Sequence, residues 1–397
     1  MQYKIINRKK RIATAAADMM GGILHAPFKL FKRHREIDPG QINTILVIRT
    51  AYIGDAIMTL PMLKPLQAGF PNAKISFLTS AGAAHALETN PYIHDIIAYD
   101  PFWFYAPYKK RKYRENGKKR KTYLELMREL RGRKFDLVIE ARGDIRDILM
   151  LVRPLDARYK VSYGVGGGGF LLTHVVPYGG LRHKIEYHLD IARYLGCPVS
   201  DGAAEIEWGI YLTKEEKANT RKFLRDNSIN KPFGAVHPGV RIPLKKWQLE
   251  RYAELYDTIA RDLGMRTVIT ASSKDTDYVK EMLKLMRTQP VDLTGRLTLR
   301  ELAGVISESL LFVCNDSAPM HIAASMGVPV VAVFGPSKSI ETAPYGNPHR
   351  VVEKDFPCRY TCDENTCKHQ RFHACMEAIE VEDVIAAIKD LLKEVNV

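Results

Sequence analysis

No stretch of eighteen consecutive apolar residues occurs in the 397-residue chain, so no segment is expected to cross a bilayer as a helix. The N-terminus is basic and lacks a continuous apolar core ahead of a small-residue cleavage site, which argues against a secretory signal and for a cytoplasmic protein. Cysteine is scarce at six residues, and the cluster Cys358, Cys362, Cys367 and Cys375, with His369 and His373 among them, has no standard zinc spacing. Stable disulfides are not expected there in a reducing compartment; a structural metal, redox-sensitive thiols and plain packing all stay open. Cys197 and Cys314 read as small packed hydrophobes. The successive glycines Gly166–Gly169 lack the strand-then-helix setting of a dinucleotide fingerprint, and a flexible cleft loop is expected instead.

What is present describes a soluble globular protein, with 46% hydrophobic and 26% charged residues. The length exceeds one compact core and predicts two domains. The net charge of +14 is concentrated in two segments. Residues 1–36 carry +7 and residues 108–134 carry +10, so the remainder is slightly acidic. In the first segment Ile23, Leu24, Phe28, Leu30 and Phe31 stand beside Lys29, Lys32 and Arg33, with Gly21, Gly22 and Pro27 expected to interrupt any long helix. Such a stretch can lie on an anionic membrane surface or remain a solvated tail. In the second, Phe102, Trp103, Phe104, Tyr105 and Tyr108 precede the basic run. That combination suits a lid over an anionic acceptor, a membrane-facing patch, a nucleic-acid contact or a solvated basic helix.

The most informative stretch is Leu310 to Pro336, LLFVCNDSAPMHIAASMGVPVVAVFGP. Its periodicity predicts strand, helix and strand, the crossover unit of a parallel sheet. Asp316 and Ser317 fall where the helix begins, where a side-chain oxygen can cap free amides and where the helix dipole favours a diphosphate. An N-cap role alone for Asp316 is the plain alternative. His321 lies one turn beyond Ser317 on the same face and is within reach of the same ligand.

The N-terminal half opens in the same way, with a strand at Ile45–Arg49, a glycine-containing turn, a helix over Asp55–Phe70 and a strand at Lys74–Thr79. Asp55 follows Gly54 at the carboxyl edge of the first strand, where a carboxylate can accept a hydroxyl proton or simply cap a helix. The second half begins with a strand at Phe233–Val236, the turn His237-Pro238-Gly239 and the basic residues Arg241, Lys245 and Lys246. The segment 371–397 ends in an amphipathic helix bearing Val384, Ile385, Ile388, Leu391 and Leu392 on one stripe.

Taken together, ILVIRTAYIGDAIMTLPML, HPGVRIPLKKW, NDSAPMHIAASMGVPVVAVFGP and the cysteine run ending at Met376 resemble glycosyltransferase family 9, the heptosyltransferases, over residues 44–395. The resemblance implies an α/β GT-B fold, two Rossmann-like doubly wound domains facing across a cleft. It suggests a basic tail at 1–42, an acceptor domain at 43–205 with a basic insertion at 101–134, a nucleotide-sugar domain at 206–377, and a helix at 378–397 crossing back to the first domain. It assigns Asp55 as the general base, which deprotonates an acceptor hydroxyl as it attacks the anomeric carbon opposite the departing diphosphate, inverting configuration. Lys245, the Ser317 and Ala318 amides and the His321 side chain match the diphosphate clamp, with Asp316 holding the turn. Asp275 stands where the family carries a glutamate near the ribose, and Leu297 lies in the segment lining the base. The sequence departs from the family at Ala51 and Tyr52, where small polar residues are usual, and at Ala318, where glycine is.

The implied reaction is transfer of a heptose or related sugar from a nucleotide diphosphate, ADP-heptose foremost, to a lipopolysaccharide core or other lipid-linked glycan. It implies a peripheral protein at the inner face of the cytoplasmic membrane, with no cofactor required and no nucleic-acid partner. A UDP-sugar donor, a nucleic-acid-binding protein using residues 108–134, and a lipid-anchored scaffold without chemistry are the competing readings.

Overall fold

The computed structural model describes residues 8–31, 36–50, 52–104, 114–115, 118–119, 121–230, 232–362 and 366–396. The expectations for Ala51, Tyr105, Tyr108 and the basic residues 109–112 fall outside the described residues. The chain divides into two compact units, one reaching Gly180 and taking in Ile185–Ser200, the other comprising Leu181–Lys184 and everything from Asp201 onward.

Each unit is built on a six-stranded, wholly parallel sheet. Across the first sheet the strands run Asp95–Ala98, Lys74–Thr79, Thr44–Arg49, Leu137–Glu140, Tyr159–Tyr163 and His174–Val176. Across the second they run Val291–Asp292, Arg266–Ile269, Phe233–His237, Leu311–Asn315, Val330–Phe334 and His349–Glu353. Both follow the order 3-2-1-4-5-6, the doubly wound arrangement in which the chain reverses direction beside its first strand. The central strands are fully buried, as in LFVCN and VVAVF. Helices covering both faces leave a parallel strand no solvent side, so it reads as a continuous apolar run.

Local physics explains three departures from expectation. The segment after Gly54 is not one helix but a short helix Ile53–Ile57, a 3-10 turn Leu60–Met62 and a helix Leu63–Gly69. Pro61 has no amide to donate to the Ile57 carbonyl, so the ladder stops there, while the Thr59 hydroxyl donates to the Asp55 carbonyl at 2.8 Å. The N-terminal glycines do not break their helix, which runs unbroken from Arg8 to Phe31. A Cβ on Gly21 would stand 2.4 Å from the Phe170 ring, so that glycine permits close packing. The glycine run forms a turn tied to that helix: Gly167 and Gly168 take φ of +93° and +83°, and the buried Asp18 carboxylate accepts the Gly168 amide at 2.7 Å.

The closing helix Val381–Glu394, for which a return to the first domain is expected, buries Val384, Ile388 and Leu391 in the core of the second unit. There its stripe packs with Tyr252, Tyr256 and Ile259 of the helix Leu249–Leu263.

Candidate active site

In a doubly wound sheet the loops after the first and fourth strands diverge, and ligands bind where they part. In the second unit these are the loops after His237 and Asn315. Asn315 joins them: its Oδ1 accepts the Trp247 amide at 3.2 Å and its Nδ2 donates to the Pro238 carbonyl at 2.9 Å. Lys245, on the first loop, donates from Nζ to Asp316 Oδ2 on the second at 2.7 Å. Asp316 is therefore not the N-cap. Burial pushes its carboxyl up, but the charge and hydrogen bond of Lys245 outweigh this, and the group lies below its ordinary value.

The N-cap position belongs to Ser317, whose side chain makes no capping bond to the helix Ala318–Ser325. Its hydroxyl is buried and has no hydrogen-bond partner among the described residues. His321, one turn on, is buried and acts on Asp316 electrostatically. Thus Lys245, Asp316, Ser317, Ala318 and His321 gather at one helix start, where backbone and dipole favour an anion.

Asp275 occupies the neighbouring loop, accepting the Ser272 hydroxyl at 2.6 Å with Lys246 Nζ 3.7 Å away. A Cβ on Gly239 would come within 2.6 Å of the Asp275 carboxylate, so a side chain here would displace that carboxylate. His237 ends its strand beneath them, with Nδ1 3.1 Å from the Thr270 hydroxyl. Burial pushes its imidazole down to about 4, against the opposing pull of Asp275. Leu297 is half-buried between Gly295 and the helix Leu299–Ser307, after the edge strand Val291–Asp292.

The cysteine segment supports this site from behind. His373, at φ +66°, lies with Nε2 2.7 Å from the carbonyl of Leu244, the residue before Lys245. Cys358, Cys362, Cys367 and Cys375 are all free, and burial pushes the Cys375 thiol up to about 11. Among the described residues no group of three or more His, Cys, Asp or Glu side chains is placed to hold a metal ion.

In the first unit Asp55 lies in the first turn of its short helix, and its Oδ1 pairs with Arg49 Nη2 at 2.8 Å, both side chains largely buried. Arg49 ends the first strand and Glu140 the fourth, the two sides of the divergence point. Glu140 is fully buried and accepts the Ser162 hydroxyl at 2.7 Å and the Gly143 amide at 2.6 Å. Burial first, then the charge of Asp147, push its carboxyl up. Asp147 accepts Thr50 Oγ1 at 3.0 Å and Trp103 Nε1 at 2.9 Å, tying the aromatic segment to the loop that leads to Asp55. Phe104 is covered by the Arg142 and Arg146 guanidiniums, 4.6 and 4.4 Å from its ring centre.

Sequence reasoning did not single out Arg49, Glu140, Asp147 or Asn315. The signal available for three of them is a polar residue ending an otherwise apolar strand.

Two units with this strand order, each with its polar groups at the carboxyl edge of the sheet, fit the two-domain GT-B fold. Solved structures agree: the chain matches a glycosyl transferase family 9 structure from Veillonella parvula at a TM-score of 0.73, with 24% identity over 91% of this chain and 99% of that one. It matches Escherichia coli ADP-heptose lps heptosyltransferase II at 0.68, with 22% identity over 89% and 100%. The model of glycosyltransferase family 9 (heptosyltransferase) matches residues 123–373, and the chain belongs to that family. Among curated relatives, lipopolysaccharide heptosyltransferase 3 of Escherichia coli K12 is 28% identical over 357 residues, 86% of this chain and 96% of that protein. The chain is a transferase.

Proposed function

We propose that the protein moves heptose from ADP-heptose to a lipopolysaccharide core, with inversion at the anomeric carbon. The heptosyltransferase names of its relatives support this reading. The observation that carries it is the helix start at Ala318, where a buried, uncapped Ser317 hydroxyl adjoins the Lys245–Asp316 pair.

Each role follows from local geometry. Lys245 has three ammonium protons and gives one to Asp316, leaving two for diphosphate oxygens. Amides at the helix start and the His321 ring receive the charge that grows on the leaving phosphate. Asp275 serves the ribose and Leu297 the base. In the first unit Arg49 orients the Asp55 carboxylate, which takes the proton of the acceptor hydroxyl. A lipid-linked acceptor places the protein at the inner face of the cytoplasmic membrane, as a peripheral protein with no membrane-spanning helix among its described residues.

Thermal shift with ADP, UDP and GDP, followed by transfer from the matching sugar conjugate, tests this. Selective stabilisation by ADP and heptose transfer from ADP-heptose are expected. Selective stabilisation by UDP, or no transfer from ADP-heptose, overturns the donor assignment.

A further inference from the structure

The helix Arg8–Phe31 has two unlike faces. Thr14, Asp18 and Gly21 face the first unit: Asp18 accepts the Gly168 amide, and Gly21 lies against Phe170. A Cβ on Gly167 would meet the Thr14 methyl at 2.5 Å, so this contact is close along its length. Opposite it stand Ile12, Met19, Met20, Ile23 and Leu24, each between 58% and 71% exposed. Spacings of 7, 8, 11 and 12 residues from Ile12 put all five on one helical stripe. A soluble helix ordinarily turns such a stripe inward. Here the inward face is held by a glycine contact and one carboxylate, and the apolar stripe points out.

We infer that this outward stripe is a docking face for an anionic lipid bilayer, with the helix lying in the plane of the interface. Arg8 and Lys9 are exposed and fall on the same side as the stripe, at its N-terminal end. Apolar side chains enter the acyl boundary while such cations meet lipid phosphates. Charge also decides between a bilayer and a second copy of the chain. Pairing two stripes would bring like charges together on chains of net +14, whereas an anionic surface neutralises them. Because Asp18 and Gly21 fix the helix to the glycine turn, docking would orient the whole first unit and not merely concentrate it. The inference rests on the proposed function only for which membrane is meant.

Flotation of the full chain with phosphatidylglycerol-containing vesicles, against pure phosphatidylcholine vesicles, tests it without donor or acceptor. The protein is expected to float with the anionic vesicles only, and less so as salt is raised. Ile23→Asp with Leu24→Asp, both at exposed positions, should reduce the bound fraction by roughly tenfold or more while the melting temperature stays unchanged. Arg8→Glu with Lys9→Glu should weaken binding to anionic vesicles and leave the apolar stripe intact. Failure of the wild-type chain to float, or equal flotation of the double aspartate variant, overturns the inference. So does a wild-type dimer that the aspartate variant splits without any vesicle binding, because the stripe then belongs to a second copy. Flotation without heptose transfer would sink the transfer reading alone, and transfer without flotation would sink this one alone.

Discussion

Lys245 Nζ lies 2.7 Å from Asp316 Oδ2, joining residues 71 positions apart across the point where the second sheet's loops diverge. The pair has two jobs: it cancels a buried charge, and it holds an ammonium at the start of a helix.

Separating those jobs gives the first prediction. Lys245→Met leaves Asp316 buried and unpaired, which should lower stability by about 3 kcal/mol in denaturant melts. The variant Lys245→Met with Asp316→Leu removes both charges and should recover most of that loss. Transfer should fall about 10²–10³-fold in both, because the diphosphate has lost its cation. A double variant that regains activity together with stability would reduce the lysine to a structural role.

His237 sets a pH dependence. Its imidazole is pushed from 6.5 down to about 4 by burial, so between those values the unfolded chain binds the proton that the folded chain refuses. Stability therefore rises with pH through this window and is lost as pH falls from 6.5 toward 4, by roughly 3 kcal/mol at the lower end. Thermal melts of the wild type and His237→Asn across that range should differ in slope, the variant being the flatter. Equal slopes would mean the histidine titrates freely.

The N-terminal helix yields a local prediction. Asp18→Ala strands the Gly168 amide in a buried position, at a cost of about 1–3 kcal/mol. Hydrogen exchange should then quicken over residues 8–31 and around Gly168, with the sheet cores unchanged. Unaltered protection of the helix would show that Asp18 does not hold it.

These contacts mark how far the sequence could be read. Apolar runs ending in polar residues located the strands that carry the site, and the helix after Ser317 was legible from its residues. The register of the two sheets was not, since pairing Thr44–Arg49 with Leu137–Glu140 joins segments about ninety residues apart. Helix continuity departs from expectation in both directions, once because a tertiary contact overrides local propensity and once because of local backbone chemistry. Gly21 is retained in a helix because Phe170 packs on it, and Pro61 ends one because its missing amide finds no substitute. Asp316 looked like a cap because its partner Lys245 is remote in sequence. The Arg49–Asp55 pair was closer to hand, but a strand end and a turn do not disclose which way their side chains point.

Asp55 carries the chemical claim, and its substitution tests the account most directly. Heptose transfer from ADP-heptose to a lipopolysaccharide core acceptor should fall about 10²–10⁴-fold in Asp55→Ala, the loss expected for a general base. Stabilisation by ADP should be unchanged, because the residues proposed to hold the nucleotide lie on the other unit. Full turnover by Asp55→Ala would contradict the assignment of the base and with it the proposed mechanism.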